Sequence, residues 1–166
     1  MAPHPIEQVL AALNAEEVRY LVVGGVAVVL HGHLRTTADL DLVVALAGEN
    51  ARKAMAALGR LGFQPRAPVP VEDFAEEGKR RAWIEEKGLT VFSLWSARVP
   101  GLEVDLFVEE PFDFDAAYAR AVRVTLDTTT AAVASLEDLL RLKRAAGRPQ
   151  DLADVEALEA LSRGGG

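Results

Sequence analysis

Two aspartates, Asp39 and Asp41, stand two residues apart in the run Asp39-Leu40-Asp41-Leu42-Val43-Val44. Polar and apolar residues alternate at its start as they do on a β-strand, where side chains at i and i+2 share a face. The two carboxylates are therefore expected side by side. Left alone they would repel, and one would tend to hold a proton. A divalent cation removes that conflict, and Mg²⁺ is commonly held by one or two carboxylates together with substrate phosphates. A third acid, Asp105, interrupts the apolar run Leu102 to Val108, where a buried charge is costly without a partner. On a strand beside the first, Asp105 would complete the cluster, with Glu103 on its face.

Upstream lies Gly24-Gly25, between the apolar run Tyr20-Leu21-Val22-Val23 and the segment Val26 to Leu30. Glycine lets the backbone approach a ligand closely, and the start of a helix offers free N–H groups to an anion. A phosphate-binding turn next in sequence to a metal-binding strand is more informative than either alone. Neither a G-x-x-x-x-G-K-[ST] loop nor a G-x-G-x-x-G fingerprint occurs, so the common phosphate-binding loops lose support.

These groups need elements to hold them. Apolar spacing at Ile6, Val9, Leu10 and Leu13 predicts a helix with Pro5 in its first turn. Tyr20 to Val23 reads as a strand, Val26 to Leu30 as a short buried helix, and Asp39 to Val44 as a second strand. Asn50 to Leu61 is an amphipathic helix stopped by Gly62. Arg81 to Ile84 and Thr90 to Trp95 read as strands joined through Lys87-Gly88, and Leu102 to Val108 as another. Phe112 to Arg120 is expected to be helical, and Val122 to Leu126 and Ala131 to Val133 to be short strands. Ser135, with Asp138 three residues on, resembles a capping box opening a helix. Gly147 and Pro149 end it, and Gln150 to Leu161 forms the last helix. The fold class is α/β (α+β): a mixed sheet flanked by helices in a single domain over 1–163. Its core spans about 1–130, a helical C-terminal portion about 131–163, and 164–166 is expected to be a disordered tail.

The 166 residues are half hydrophobic and include no cysteine. A domain of this size buries most of its surface without disulfides, and the absence of thiols fits a reducing compartment. The start Met1-Ala2-Pro3-His4-Pro5 lacks a basic segment followed by an apolar run, and no stretch is long enough to span a bilayer. The chain is accordingly expected to be cytoplasmic, with no membrane partner. The formal charge of −7 makes a long nucleic acid an uncomfortable partner, although Lys79-Arg80-Arg81 and Lys143-Arg144 offer short basic surfaces.

The run Gly24-Gly25, then His31-Gly32, then Arg35-Thr36-Thr37-Ala38-Asp39-Leu40-Asp41 resembles the signature of the DNA polymerase β-like nucleotidyltransferase superfamily. The Arg-x-Thr-x-Asp-x-Asp form is similar to its small bacterial branch of AbiEii-type toxins and their relatives. The Ser-led helix with Lys143, then Arg148-Pro149-Gln150-Asp151 and Asp154, is similar to that branch as well. The likeness covers most of the chain, least in Gln64 to Lys87. It implies a two-metal transfer of a nucleoside monophosphate from a nucleotide triphosphate to a hydroxyl acceptor: tRNA, protein or a small molecule. It also implies Mg²⁺ as cofactor (two ions, with Mn²⁺ as a substitute) and, for a toxin, an antitoxin partner. Asp39, Asp41 and Asp105 would be the catalytic metal ligands, with Asp105 assisting deprotonation of the acceptor. Gly24, Gly25, Arg35, Thr37 and Lys143 would bind the nucleotide, and Arg148, Asp151 and Asp154 are further candidates. The serine usual after the first glycine is replaced here by Gly25.

Other polar groups have plainer readings. Asp151 and Asp154 suit the first turn of a helix, where acids complement the dipole, and a lysine such as Lys143 is ordinarily solvated. His31 and His33 are poorly spaced for joint ligation, and Trp83 and Trp95 read as core. A metal-dependent nuclease and a non-catalytic nucleotide- or partner-binding module remain the alternatives, since a carboxylate cluster also serves phosphodiester hydrolysis.

Overall fold

The computed structural model describes residues 3–164. Seven strands form one mixed sheet among these residues: β1 (Tyr20–Val23), β2 (Asp39–Val44), β3 (Gln64–Pro65), β4 (Val91–Trp95), β5 (Glu103–Phe107), β6 (Val122–Thr125) and β7 (Thr130–Val133). Their order across the sheet is β3-β4-β5-β2-β1-β7-β6. The pairs β2/β5 and β1/β7 are parallel, and the others are antiparallel. The helices are α1 (Pro5–Ala15), α2 (Gly24–Leu30), α3 (Asn50–Arg60), α4 (Glu77–Lys87), α5 (Phe114–Ala119), α6 (Leu136–Ala146) and α7 (Pro149–Gly164), with a 3₁₀ turn at Val71–Ala75.

The sheet has two unlike faces because β4, β5 and the first half of β2 alternate in burial. Leu40 and Leu42 of β2, Val104 and Leu106 of β5, and Phe92 and Leu94 of β4 are all buried. Phe92 stacks against Phe74 of the 3₁₀ turn and Trp83 of α4, with ring centroids 5.4 and 4.9 Å away. Burying the alternate residues on this side leaves Asp39, Asp41, Glu103, Asp105, Ser93 and Trp95 for the opposite face. The α6–α7 pair borders that second face.

The segment expected as a strand at Arg81 to Ile84 lies inside α4 instead. Helical pairing explains it: Arg81 bonds Glu77 one turn back at 2.8 Å, and Arg80 reaches the Phe74 carbonyl at 2.6 Å. Four residues of apparent β character cannot outweigh an eleven-residue helix closed by Gly88. That glycine caps α4 in the left-handed region at φ 61° rather than turning a hairpin. At the C-terminus Gly164 belongs to α7, not to a disordered tail; Gly165 and Gly166 lie outside the described residues. The Ser135 cap is present, its hydroxyl accepting from the Asp138 N–H at 3.1 Å. Among the described residues no helix is long and apolar enough to cross a membrane.

Candidate active site

Strand register brings the carboxylates together. Asp41 of β2 is the direct partner of Asp105 on β5, and Asp39 is the partner of Glu103. On the other side of β2, Val23 pairs with Asp41, which sets Gly24 beside that carboxylate. The backbone turns there at φ +68°, open to glycine at little cost. A methyl on Gly24 would lie 2.0 Å from Asp41 Oδ2. A methyl on Gly25 would meet Arg35 Nη1 at 2.2 Å and Thr37 Oγ1 at 2.8 Å. Each glycine is thus fixed by a site side chain pressed against its backbone.

All of these groups but Glu103 line one cavity of about 580 Å³. It gathers every residue expected from the sequence except Asp154: Gly24, Gly25, Arg35, Thr37, the three aspartates, Lys143, Arg148 and Asp151. Asp154 lies directly behind it, fully buried. Val91, Phe107, Leu139 and Leu142 provide apolar wall.

The electrostatics are those of acids crowded away from water. Burial pushes the Asp41 carboxyl up to about 6, helped by repulsion from Asp105 and Asp39, while Lys143 and Arg148 pull against the rise. Burial also raises Asp105, which the Ser93 hydroxyl opposes and which Asp39 and Glu103 reinforce. Asp105 Oδ1 is buried with no hydrogen-bond partner, an uncommon state for a carboxylate oxygen unless something else is meant to meet it. Among the described residues, however, no three His, Asp or Glu side chains close to the spacing of a complete metal cage. An open set of oxygen donors still suits Mg²⁺, which relies on one or two carboxylates plus waters or substrate phosphates.

Lys143, Asp151 and Asp154 differ from their plain readings. None is a solvated or dipole-complementing surface group; all three are buried. Lys143 Nζ sits 3.2 Å from Asp151 Oδ1 and 3.0 Å from Asp154 Oδ2. Arg148 clasps Asp151 through Nε at 2.6 Å and Nη2 at 3.2 Å. Gln150 donates to Asp154 Oδ1 at 2.9 Å, and Arg35 Nε approaches the same oxygen at 3.4 Å. Burial acts to raise Asp151, but the Arg148 and Lys143 bonds outweigh it and hold the carboxyl below its ordinary value. This network locks α6 to α7 and braces Arg35 against the glycine turn. His31 is engaged elsewhere, its Nε2 lying 2.8 Å from the Ala134 carbonyl oxygen.

Sequence reasoning passed over Ser93 and Trp95. Ser93 pairs with Asp105, and Trp95 pairs with Glu103, so both share the face of the acids. Trp83 is core as expected, whereas Trp95 is only half-buried. The i, i+2 alternation of Val91, Ser93 and Trp95 carried the signal, but only the β4/β5 register tells which face it names.

A glycine turn pressed on paired strand aspartates, in a mixed sheet of this order, defines a nucleotidyltransferase-like protein. The chain belongs to the family described as nucleotidyltransferases of unknown function, DUF6036, which matches residues 5–163. No curated protein matches it. Its fold is similar to that of the lincosamide antibiotic adenylyltransferase LnuA with lincomycin bound (TM-score 0.63, 14% identity, covering 95% of this chain and 96% of that one). It is also similar to ANT(2'')-Ia in complex with adenylyl-2''-tobramycin (TM-score 0.58, 16% identity, 95% and 86% covered). A third likeness is to an antigenic nucleotidyltransferase-like protein from Paracoccidioides brasiliensis (TM-score 0.54, 20% identity, 95% and 75% covered). These confirm the mixed α/β nucleotidyltransferase fold read from the sequence.

Proposed function

We propose that this chain is a divalent-metal-dependent enzyme that moves a nucleoside monophosphate from a nucleotide triphosphate to a hydroxyl acceptor. One observation carries the reading. A single cavity holds, in order across the sheet, a glycine turn closed to any side chain, the Asp41–Asp105 pair, and the Val91–Phe107 edge of β4 and β5.

Asp39, Asp41 and Asp105 would hold Mg²⁺. The ion supplies charge neutralisation at the attacking and leaving oxygens. The glycine backbone leaves room for the triphosphate, and Arg35 and Lys143 offset its charge. In the transfer, the acceptor oxygen bonds the α-phosphorus and the α–β anhydride P–O bond breaks. Pyrophosphate leaves, and the hydroxyl proton passes to the Asp105 carboxylate. The buried Lys143–Asp151–Asp154 network keeps α6 and α7 at a fixed distance from the reacting atoms, which matters because transfer depends on positioning.

The test uses wild-type protein with Mg²⁺ or Mn²⁺ and each of the four α-labelled ribonucleotide triphosphates. Tobramycin, lincomycin, bulk tRNA and protein extract serve as acceptors. The first two follow from the compounds bound in the similar structures, lincomycin and adenylyl-2''-tobramycin; tRNA comes from the AbiEii-type resemblance, with which the toxin role and its antitoxin stand or fall. Label transfer that is lost in Asp41→Ala supports the reading. No metal-dependent nucleotide binding and no transfer to any acceptor would sink it.

A further inference from the structure

In-line displacement puts the leaving pyrophosphate and the attacking oxygen on opposite sides of the α-phosphorus. Here that requirement has a direction on the sheet. Gly24 and Gly25 lie at the β1 side of Asp41, and the sheet continues from β2 through β5 to β4. If pyrophosphate departs toward the glycine turn, the acceptor reaches the phosphorus past Asp105, and the rest of it lies over β5 and β4.

The surface in that direction has a definite chemistry. Ser93 and Trp95 of β4 pair with Asp105 and Glu103 of β5, so all four side chains share one face, and none is fully buried. Arg66 closes the far end, its guanidinium 5.6 Å from the Trp95 ring centroid and its Nη2 3.1 Å from Glu103 Oε2. An aromatic face beside a carboxylate and a hydroxyl suits a compact ring bearing hydroxyl or amino groups. Arg66 and Glu103 neutralise one another on this strip, Asp39 and Asp105 are taken up by the metal, and the chain carries −7 overall. The strip therefore offers a phosphate backbone no unpaired positive charge to bind.

We propose that Trp95, Glu103 and Ser93 form the acceptor subsite, and that it takes a small hydroxyl compound, neutral or cationic, rather than a nucleic-acid end. This rests on the nucleotidyl-transfer reading above. Trp95 and Glu103 bind the acceptor, while Arg66 is a positioning residue that holds both in place.

The experiment keeps the two readings apart. ATP binding with Mg²⁺ is measured first, by thermal shift, on wild type, Trp95→Ala and Glu103→Gln; its absence from wild type overturns the transfer reading and this one with it. With ATP bound and unchanged in the variants, the expected result is label on tobramycin or lincomycin, with KM for that acceptor rising about tenfold or more in Trp95→Ala. The same compound should shift the intrinsic tryptophan emission of wild type and not that of Trp95→Ala, which retains only Trp83. Label on tRNA instead, or an acceptor KM unmoved in both variants, overturns the assignment while leaving nucleotidyl transfer intact. So does nucleotide binding with neither label on the two compounds nor an emission change.

Discussion

Gly24 and Asp41 are packed so closely that a methyl on the glycine would overlap the aspartate carboxylate, 2.0 Å from Oδ2. The backbone of Gly24 is also in the left-handed region at φ +68°. Gly24→Ala therefore has two separable effects: strain of about 1 kcal/mol from the backbone, and displacement of the carboxylate proposed to hold the metal. Misplacement of this kind costs on the order of 100-fold in turnover. The single variant is expected to fold, melt a few degrees lower, and lose that much transfer. In an Asp41→Ala background the overlap is gone, so the added cost in stability should shrink to the strain alone. A double-mutant cycle by chemical denaturation reads this; strictly additive costs would contradict the packing described.

Asp41 also gives the metal-free protein a pH signature. Its carboxyl is pushed up to about 6 in the folded chain, from the ordinary aspartate value of about 4 in the unfolded one. Between those values the folded state binds more protons than the unfolded state, so stability falls as pH rises through the window and levels off above it. The penalty is fully present at pH 8 and absent below about pH 3. Asp41→Asn should consequently melt higher than wild type at pH 8 in EDTA, by on the order of 2 kcal/mol. The gap should close toward pH 3, and Mg²⁺ should narrow it at pH 8. A melting difference that does not vary with pH would refute this account.

Much of the site was legible in the sequence because each part has a local cause. Two acids at i and i+2 must share a strand face, glycines between a strand and a helix must form a turn, and a serine before an apolar helix caps it. What local pattern does not carry is burial. Lys143, Asp151 and Asp154 look like surface groups because each, taken singly, is cheapest in water. Only the α6–α7 contact places Lys143 within 3.2 Å of both acids. Trp95 is the converse case, an apolar residue read as core but turned toward the acids by the β4/β5 register. At Arg81 to Ile84, short-range β character lost to a helix whose partners, Glu77 and Phe74, lie outside the window.

Lys143 makes the buried network sensitive to one-sided change. Removing it takes the nearest cation from the buried Asp154 carboxylate, and breaking a buried pair in this way costs about 3–5 kcal/mol. Lys143→Met should be destabilised by that order in urea denaturation. Adding Asp154→Asn removes that uncompensated charge and should recover part of the loss. Arg148 still clasps Asp151, so the second acid keeps a partner. Equal destabilisation of the single and double variants would show that the uncompensated Asp154 charge is not what Lys143→Met costs.

Gly25 offers the sharpest test of how the turn and Arg35 are matched. The resembled superfamily usually carries serine at this position. Here the space a side chain would need is taken, with Arg35 Nη1 2.2 Å and Thr37 Oγ1 2.8 Å from where its Cβ would be. Restoring the serine should therefore weaken nucleotide binding, because the new side chain pushes the guanidinium off the turn while Asp154, 3.4 Å from Arg35 Nε, loses a neighbour. Shortening the arginine should relieve the conflict. Gly25→Ser is expected to raise the Kd for Mg²⁺–ATP about tenfold, the scale of one charge-assisted contact. Gly25→Ser with Arg35→Ala should bind better than the serine variant alone, since the added hydroxyl then reaches the space the guanidinium held. Calorimetric titration of wild type, both single variants and the double variant decides it. A double variant weaker than both singles would mean that Arg35 and Gly25 serve the nucleotide independently.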